Sequence, residues 1–290
     1  MTFPLSARRA ISTAGAVVAL GFLAASCQTL PSETFASADP GTFAGASVNI
    51  ASLTEVVKRE PNNPSAYNVR GTAYGASGHY NEALDDFNKA IELDPNFHQA
   101  YANRALVYRQ LGKTDLALKD YDRAIKTDPR YAPAYIGRGN VYRQSGQISL
   151  ALADFDRAIR LQSDDPQGFH NRALIYQSRG LHNFAIEDFT TAIGLDPTAP
   201  EPYNGRGISY LALGNVDEAL DDFNRALQIN VRYYEAWTSR GAALEAKGDF
   251  VEAVASYNHA LSLNGNYVPA KEGLQRLRSK VPGGGILGVR

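Results

Sequence analysis

Six arginines recur at intervals of 34 residues, Arg70, Arg104, Arg138, Arg172, Arg206 and Arg240. An aspartate stands sixteen residues after each of the first five: Asp86, Asp120, Asp154, Asp188 and Asp222, with Ser256 in the sixth place. A guanidinium and a carboxylate in that repeated relation can brace two facing segments as ion pairs, or the arginines can line a cationic groove for a ligand. Bracing is the favoured reading, because the matching carboxylate recurs and a partly buried guanidinium needs a partner.

Other chemistry finds less support. The five histidines, His79, His98, His170, His182 and His259, fall at different places in the period, and no two have the metal-ligand spacing of H-E-x-x-H. Cys27 is the only cysteine, so no internal disulfide can form, and its reading as an anchor, below, removes the obvious thiol nucleophile. No strand is evident for a Gly-rich phosphate loop to follow. The remaining acidic residues are mostly periodic, which suits solvated faces or structural pairs. The chain is expected not to be an enzyme and to need neither metal nor cofactor.

What must position these side chains is a repeated unit. The block 64–97 is rewritten in register as 98–131, 132–165, 166–199, 200–233 and 234–267. Ala83, Ala117, Ala151, Ala185, Ala219 and Ala253 keep the spacing, as do Ala90, Ala124, Ala158, Ala192, Ala226 and Ala260. Between each such pair sits one aromatic: Phe87, Tyr121, Phe155, Phe189, Phe223 or Tyr257. Small residues at fixed places let helix backbones approach closely while the ring fills the space beside them. Gly78, Gly112, Gly146, Gly180, Gly214 and Gly248 suit the turn between two antiparallel helices. Units of this size cannot bury their apolar faces alone and must stack on copies of themselves.

On these residues the chain resembles the tetratricopeptide repeat family, whose pattern is an aromatic, a Leu-Gly pair, a Tyr, an Ala, an aromatic, a second Ala and a Pro. The leading aromatics are Tyr67, Tyr101, Tyr135, Phe169, Tyr203 and Trp237, and the small residues four places on are Gly71, Ala105, Gly139, Ala173, Gly207 and Gly241. Tyr74, Tyr108, Tyr142, Tyr176 and Tyr210 fill the Tyr position, with Leu244 in the last copy. Pro95, Pro129 and Pro197 close three copies, whereas Ser163, Val231 and Gly265 stand at the other three. The resemblance implies an all-α, right-handed α-solenoid of six helix-turn-helix repeats over residues 64–267. Residues 48–63 would cap the open end as a lone helix, since Leu53, Val56 and Pro61 lie 34 before Phe87, Ala90 and Pro95. Residues 268–280 would form a terminal capping helix with a wet outer face, followed by a disordered tail over 281–290.

The N-terminus reads as an export signal over residues 1–26. Arg8 and Arg9 precede a mostly apolar run from Ala10 to Leu23, and Ala24, Ala25 and Ser26 are small. The run is too short to favour a membrane-spanning helix, which needs about 20 apolar residues. Cys27 then resembles the acylated cysteine of bacterial lipoproteins, although Ala24 stands where Leu is usual; an ordinary secretory leader is the alternative. Two or more acyl chains would hold the protein stably at a bilayer. Gln28 in place of Asp suggests, by resemblance to enterobacterial sorting, the periplasmic side of a Gram-negative outer membrane. Residues 27–47, with Pro31, Pro40 and Gly41, read as a flexible tether. The net charge of −1, which becomes −3 on loss of Arg8 and Arg9, argues against a nucleic-acid binder.

The resemblance further implies a concave face, lined mainly by first helices, that receives peptide segments. Carrying the family's groove places over gives Asn68, Asn103, Leu106, Arg109, Gln110, Ile136, Asn140, Arg143 and Gln144. His170, Asn171, Leu174, Gln177, Asn204 and Ile208 continue the set. Amide side chains can donate to and accept from a peptide backbone, and Leu and Ile offer apolar contact. Arg109 and Arg143 hold equivalent places in adjacent copies, either as holders of an acidic side chain or as two solvated arginines. The expected function is a membrane-anchored periplasmic scaffold that binds proteins, either as an adaptor for peptidoglycan hydrolases or proteases or as a pilotin-like factor for a secretin. An envelope enzyme is kept as a further alternative.

Overall fold

The computed structural model describes residues 50–278 and residue 280. The leader, Cys27, the tether and the tail over 281–290 lie outside the described residues. Among these there are fourteen helices and no strand. A single helix, α1 (Ile50–Arg59), precedes six hairpins. The hairpins are α2 (Pro64–Ala76) with α3 (Tyr80–Leu93), α4 (His98–Gln110) with α5 (Thr114–Thr127), and α6 (Ala132–Gln144) with α7 (Ile148–Leu161). They continue as α8 (Pro166–Ser178) with α9 (His182–Leu195), α10 (Pro200–Ala212) with α11 (Val216–Ile229), and α12 (Tyr234–Lys247) with α13 (Phe250–Leu263), before α14 (Val268–Leu277).

Each first helix starts at the first residue of its block, three residues ahead of the leading aromatic, because the preceding turn hands it a prepared start. Asp94, Asp128, Asp196, Asn230 and Asn264 accept a hydrogen bond from the backbone N–H two residues on, at 2.9–3.2 Å. The joint between the third and fourth hairpins has Gln162 at that place; there Asp165 caps α8 instead, accepting from the Gln167 N–H at 2.8 Å, with Pro166 as the first helical residue. Each hairpin turns on its glycine, and the six lie at φ between +69° and +92°. A side chain there would be strained, which is why glycine holds the position.

The core is a row of buried rings. Phe87, Phe155, Phe189 and Phe223 are fully buried, Tyr121 and Tyr257 nearly so, and the paired alanines on either side of each ring are buried with them. Every ring also presses on a glycine at one of two places, and Tyr257 meets one at both, Gly241 and Gly273 of α14. Phe87, Phe155, Phe223 and Tyr257 press on Gly71, Gly139, Gly207 and Gly241 of their own hairpin; an added Cβ at Gly139 would sit 2.7 Å from Phe155 Cε1. Tyr121 and Phe189 instead meet Gly137 and Gly205 of the next hairpin, and there the own-hairpin place holds Ala105 and Ala173. For Tyr121 and Phe189 the volume added on one side of the ring is made up on the other, as close packing requires.

The arginine series forms a brace. Arg70, Arg104, Arg138, Arg172 and Arg206 each donate from Nε and Nη2 to both oxygens of their aspartate, at 2.7–2.9 Å. Nη1 reaches back to the preceding element: to Thr54, Asn88, Asp122, Asp156 and Thr190 in turn, at 2.6–3.4 Å. The guanidinium of Arg138 also lies 5.7–5.8 Å from the ring centres of Tyr135 and Tyr142, an arrangement repeated along the series. Hydrogen bonds to Asp154 and Asp188 hold Arg138 and Arg172 well above the usual arginine range. Each rung thus ties two helices of one hairpin to the hairpin before it. The sixth differs: Arg240 donates to Asn224 Oδ1 and Ser256 Oγ, and Glu252 is 3.8 Å away.

First helices pack on the first helices of neighbouring hairpins, from α2 through α12 to α14, whereas second helices touch only first helices or, in α13, also the terminal helix. Two layers result, and the closely packed first helices are the inner one. α14 starts at Val268 and ends at Leu277, short of residue 280, with Leu277 buried and Leu274 half-buried against the sixth hairpin.

Candidate peptide-binding wall

The inner wall is built from residues at the fifth, sixth, ninth, twelfth and thirteenth places of successive first helices. The structure sorts the fifteen residues expected there by depth. Asn68, Asn103 and Asn140 are 2% exposed or less, and Leu106, Arg109, Ile136, Asn171 and Asn204 are also buried. Gln110, Arg143, His170, Leu174, Gln177 and Ile208 are half-buried, and Gln144 is exposed. Several of the amides are already engaged within the chain. Asn103 Nδ2 donates to Asn68 Oδ1 at 3.1 Å and Thr72 Oγ1 at 3.3 Å, joining α2 to α4. Gln177 Nε2 donates to the Gly205 carbonyl at 2.7 Å and Ser209 Oγ at 2.8 Å, joining α8 to α10. Asn171 Nδ2 bonds the Gln167 carbonyl one turn back at 2.9 Å. These side chains fix the spacing of the wall; of the half-buried ones, Gln110, Arg143, His170, Leu174 and Ile208 are left for a partner.

Electrostatics divides the wall along its length. Burial pushes Arg109 below the usual arginine range, and Arg143 is pushed down by burial first and by Arg109 second. Arg143 Nη2 makes only a long 3.5 Å approach to Asn140 Oδ1, and its Nε is buried without a hydrogen-bond partner. His170, packed on Phe189 with ring centres 5.6 Å apart, is pushed down to about 4 by burial and then by Arg143. Its imidazole is therefore neutral at physiological pH, and Nδ1 is buried with no partner. Farther along, Glu201 is pushed up by burial, with Asp196 and Glu235 adding to the shift. At the last place Glu245 accepts from Tyr257 Oη at 3.1 Å and from Arg276 Nη2 at 3.0 Å.

Two features escaped the sequence. Arg276 of α14 reaches across to Glu245 and ends the wall; a signal existed in the 31-residue separation, close to one repeat. On the second helices, Leu116, Leu150 and Phe184 occupy one place in three consecutive hairpins and are 43%, 47% and 55% exposed, where the other hairpins carry Glu82, Glu218 and Glu252. That substitution was visible in the aligned blocks. Among the described residues no helix is long and apolar enough to cross a membrane, and no group of three or more His, Cys, Asp or Glu residues is placed to hold a metal ion.

Comparison with known proteins agrees with this geometry. Two tetratricopeptide repeat family models match residues 64–97, 98–131 and 200–233 and residues 166–198 and 234–267, and a TPR repeat model matches residues 139–180. Among solved structures, the hetero-tetramer of Cut9 and Hcn1 from the APC/C aligns with a TM-score of 0.73 at 21% identity, covering 80% of this chain and 46% of that one. This chain therefore spans under half of that relative. pilF of Pseudomonas aeruginosa aligns with a TM-score of 0.66 at 18% identity, over 76% of this chain and 99% of that one. YrrB, described as a TPR protein with an unusual peptide-binding site, aligns with a TM-score of 0.52 at 23% identity, over 66% and 99%. No curated protein matches this chain.

Proposed function

We propose, from the premise that this chain belongs to the tetratricopeptide repeat family, that its inner wall receives an extended segment of a partner protein while the N-terminus holds it at a membrane. The fold is a protein-interaction scaffold. The observation that carries the reading is the wall itself: a continuous layer of first helices presenting half-buried Gln110, Arg143, His170, Leu174 and Ile208. That mixture offers donors and acceptors for a peptide backbone beside apolar contact for its side chains.

The setting we propose is the periplasmic side of an outer membrane, with Cys27 acylated after removal of the leader. The Arg-Arg, apolar run, small residues and cysteine in that order support it. There the protein acts as an adaptor for peptidoglycan hydrolases or proteases; a pilotin-like role with a secretin is the second reading. The likeness to pilF supports the shared fold and does not separate the two.

Photo-crosslinking in intact cells tests the site. A crosslinker at Gln144 or Gln177, on the wall, is expected to capture envelope hydrolases or proteases, and one at Glu187, on the outer layer, is not. Capture of a secretin would favour the second reading. Capture only from Glu187 would overturn the wall. Mass measurement of the mature N-terminus, with Cys27→Ser as control, tests acylation; an unmodified cysteine would end the anchoring proposal.

A further inference from the structure

The wall offers cations and buried donors in one zone and acids in another. In the second to fourth hairpins, the fifth, ninth, twelfth and thirteenth places of the first helix hold Ala102, Leu106, Arg109 and Gln110; Ile136, Asn140, Arg143 and Gln144; His170, Leu174, Gln177 and Ser178. None is acidic. Acids of the first helices stand in the fifth and sixth hairpins, Glu201 and Glu235 at the second place and Glu245 at the twelfth, where it is paired with Arg276.

From this arrangement we infer that the wall over the second to fourth hairpins is a site for an acidic peptide segment, whose carboxylate is taken by Arg143 between Arg109 and His170. The inference rests on the protein-binding reading above and names the chemistry of its partner. Arg143 is half-buried beside a second guanidinium, and its Nε is buried and unbonded. A guanidinium so placed has lost water without gaining a counter-charge, so an arriving carboxylate regains what burial cost. His170 Nδ1 is also buried and unbonded, and its imidazole is near enough to Arg143 to feel that charge. The chain's own rungs show the preferred ligand of such a fork: five times a recurring arginine takes both oxygens of a carboxylate.

The test measures binding of a short fluorescent peptide of alternating Glu and Ser to the full chain, with a Gln and Ser peptide as control. The acidic peptide is expected to bind tighter than the control and to lose affinity as salt rises. Arg143→Gln is expected to weaken it about tenfold or more, with partial recovery in Arg143→Lys. Lys119→Gln, an exposed cation on the outer layer, is expected to leave binding unchanged. Melting curves confirm that each variant is folded. Equal binding of the two peptides would overturn the inference while leaving the wall as a protein-binding surface, provided crosslinking from Gln177 still succeeds. An equal loss from Lys119→Gln would overturn it as diffuse charge attraction. Tighter binding by the Glu33→Gln and Asp39→Asn double variant, which neutralises the two acids of the expected tether over 27–47, would overturn the assignment to a partner and give the site to that stretch.

Discussion

The same side chain is used in two opposite ways on the two sides of the first helices. Facing the second helices, Arg70, Arg104, Arg138, Arg172 and Arg206 sit between aromatic rings with both fork nitrogens on a buried aspartate. On the inner wall, Arg143 has comparable burial and an arginine for a neighbour. In the first set, carboxylate and ring offset the loss of water; in the second, burial and like charge both work against the ion. The difference separates a charge retained to hold the stack from one placed where a ligand can reach it.

Breaking a rung tests the first half of that contrast, with the largest expected effect. Arg172→Ala leaves Asp188 buried and Asp156 without its Nη1 contact, so unfolding experiments are expected to show a loss of about 3 kcal/mol. Arg240→Ala removes a fork bonded to a hydroxyl and an amide, with exposed Glu252 3.8 Å away, and leaves no buried carboxylate behind. Its expected cost is about 1 kcal/mol. Equal melting shifts for the two would mean that the recurring aspartate is not what makes the rung strong.

Acid tests the wall. His170 has a folded pKa of about 4, below its ordinary value of 6.5, so between those values the unfolded chain binds a proton that the folded one refuses. Stability therefore falls as pH drops through that window and levels off below it, by up to about 3 kcal/mol. In His170→Gln that part of the acid sensitivity should vanish while the rest of the profile stays. An unchanged profile would show that the imidazole is not desolvated against Arg143 and Phe189.

Periodicity made the fold legible, and it fails at the wall for a physical reason. The alanines, rings, turn glycines and Arg-Asp spacing recur because every hairpin faces an equivalent neighbour, so a place in the block implies an environment. Wall residues vary from copy to copy, and their depth depends on the particular residue one repeat away. Asn103 is engaged because Asn68 and Thr72 stand behind it, and Gln177 because Gly205 and Ser209 do. A list of groove places does not hold those pairings. The glycine shared between neighbours shows the same limit: Ala105 is tolerated beside Tyr121 because Gly137 in the following hairpin provides the space.

The smallest effect carries the sharpest sign. Arg143→Leu removes a half-buried cation that is held below its ordinary pKa and replaces it with apolar surface at the same place. Because no carboxylate is orphaned by the change, the usual penalty for breaking a buried pair is absent, and the relief of burial and like charge remains. The variant is expected to be more stable by about 0.5–1 kcal/mol, the reverse of the sign at Arg172. Part of the gain comes from repulsion between half-buried Arg143 and buried Arg109, so it should shrink modestly as salt is added. Urea melts at low and high salt measure both. A loss of stability in Arg143→Leu would place this arginine among the braces, and the contrast between the two sides of the first helices would disappear.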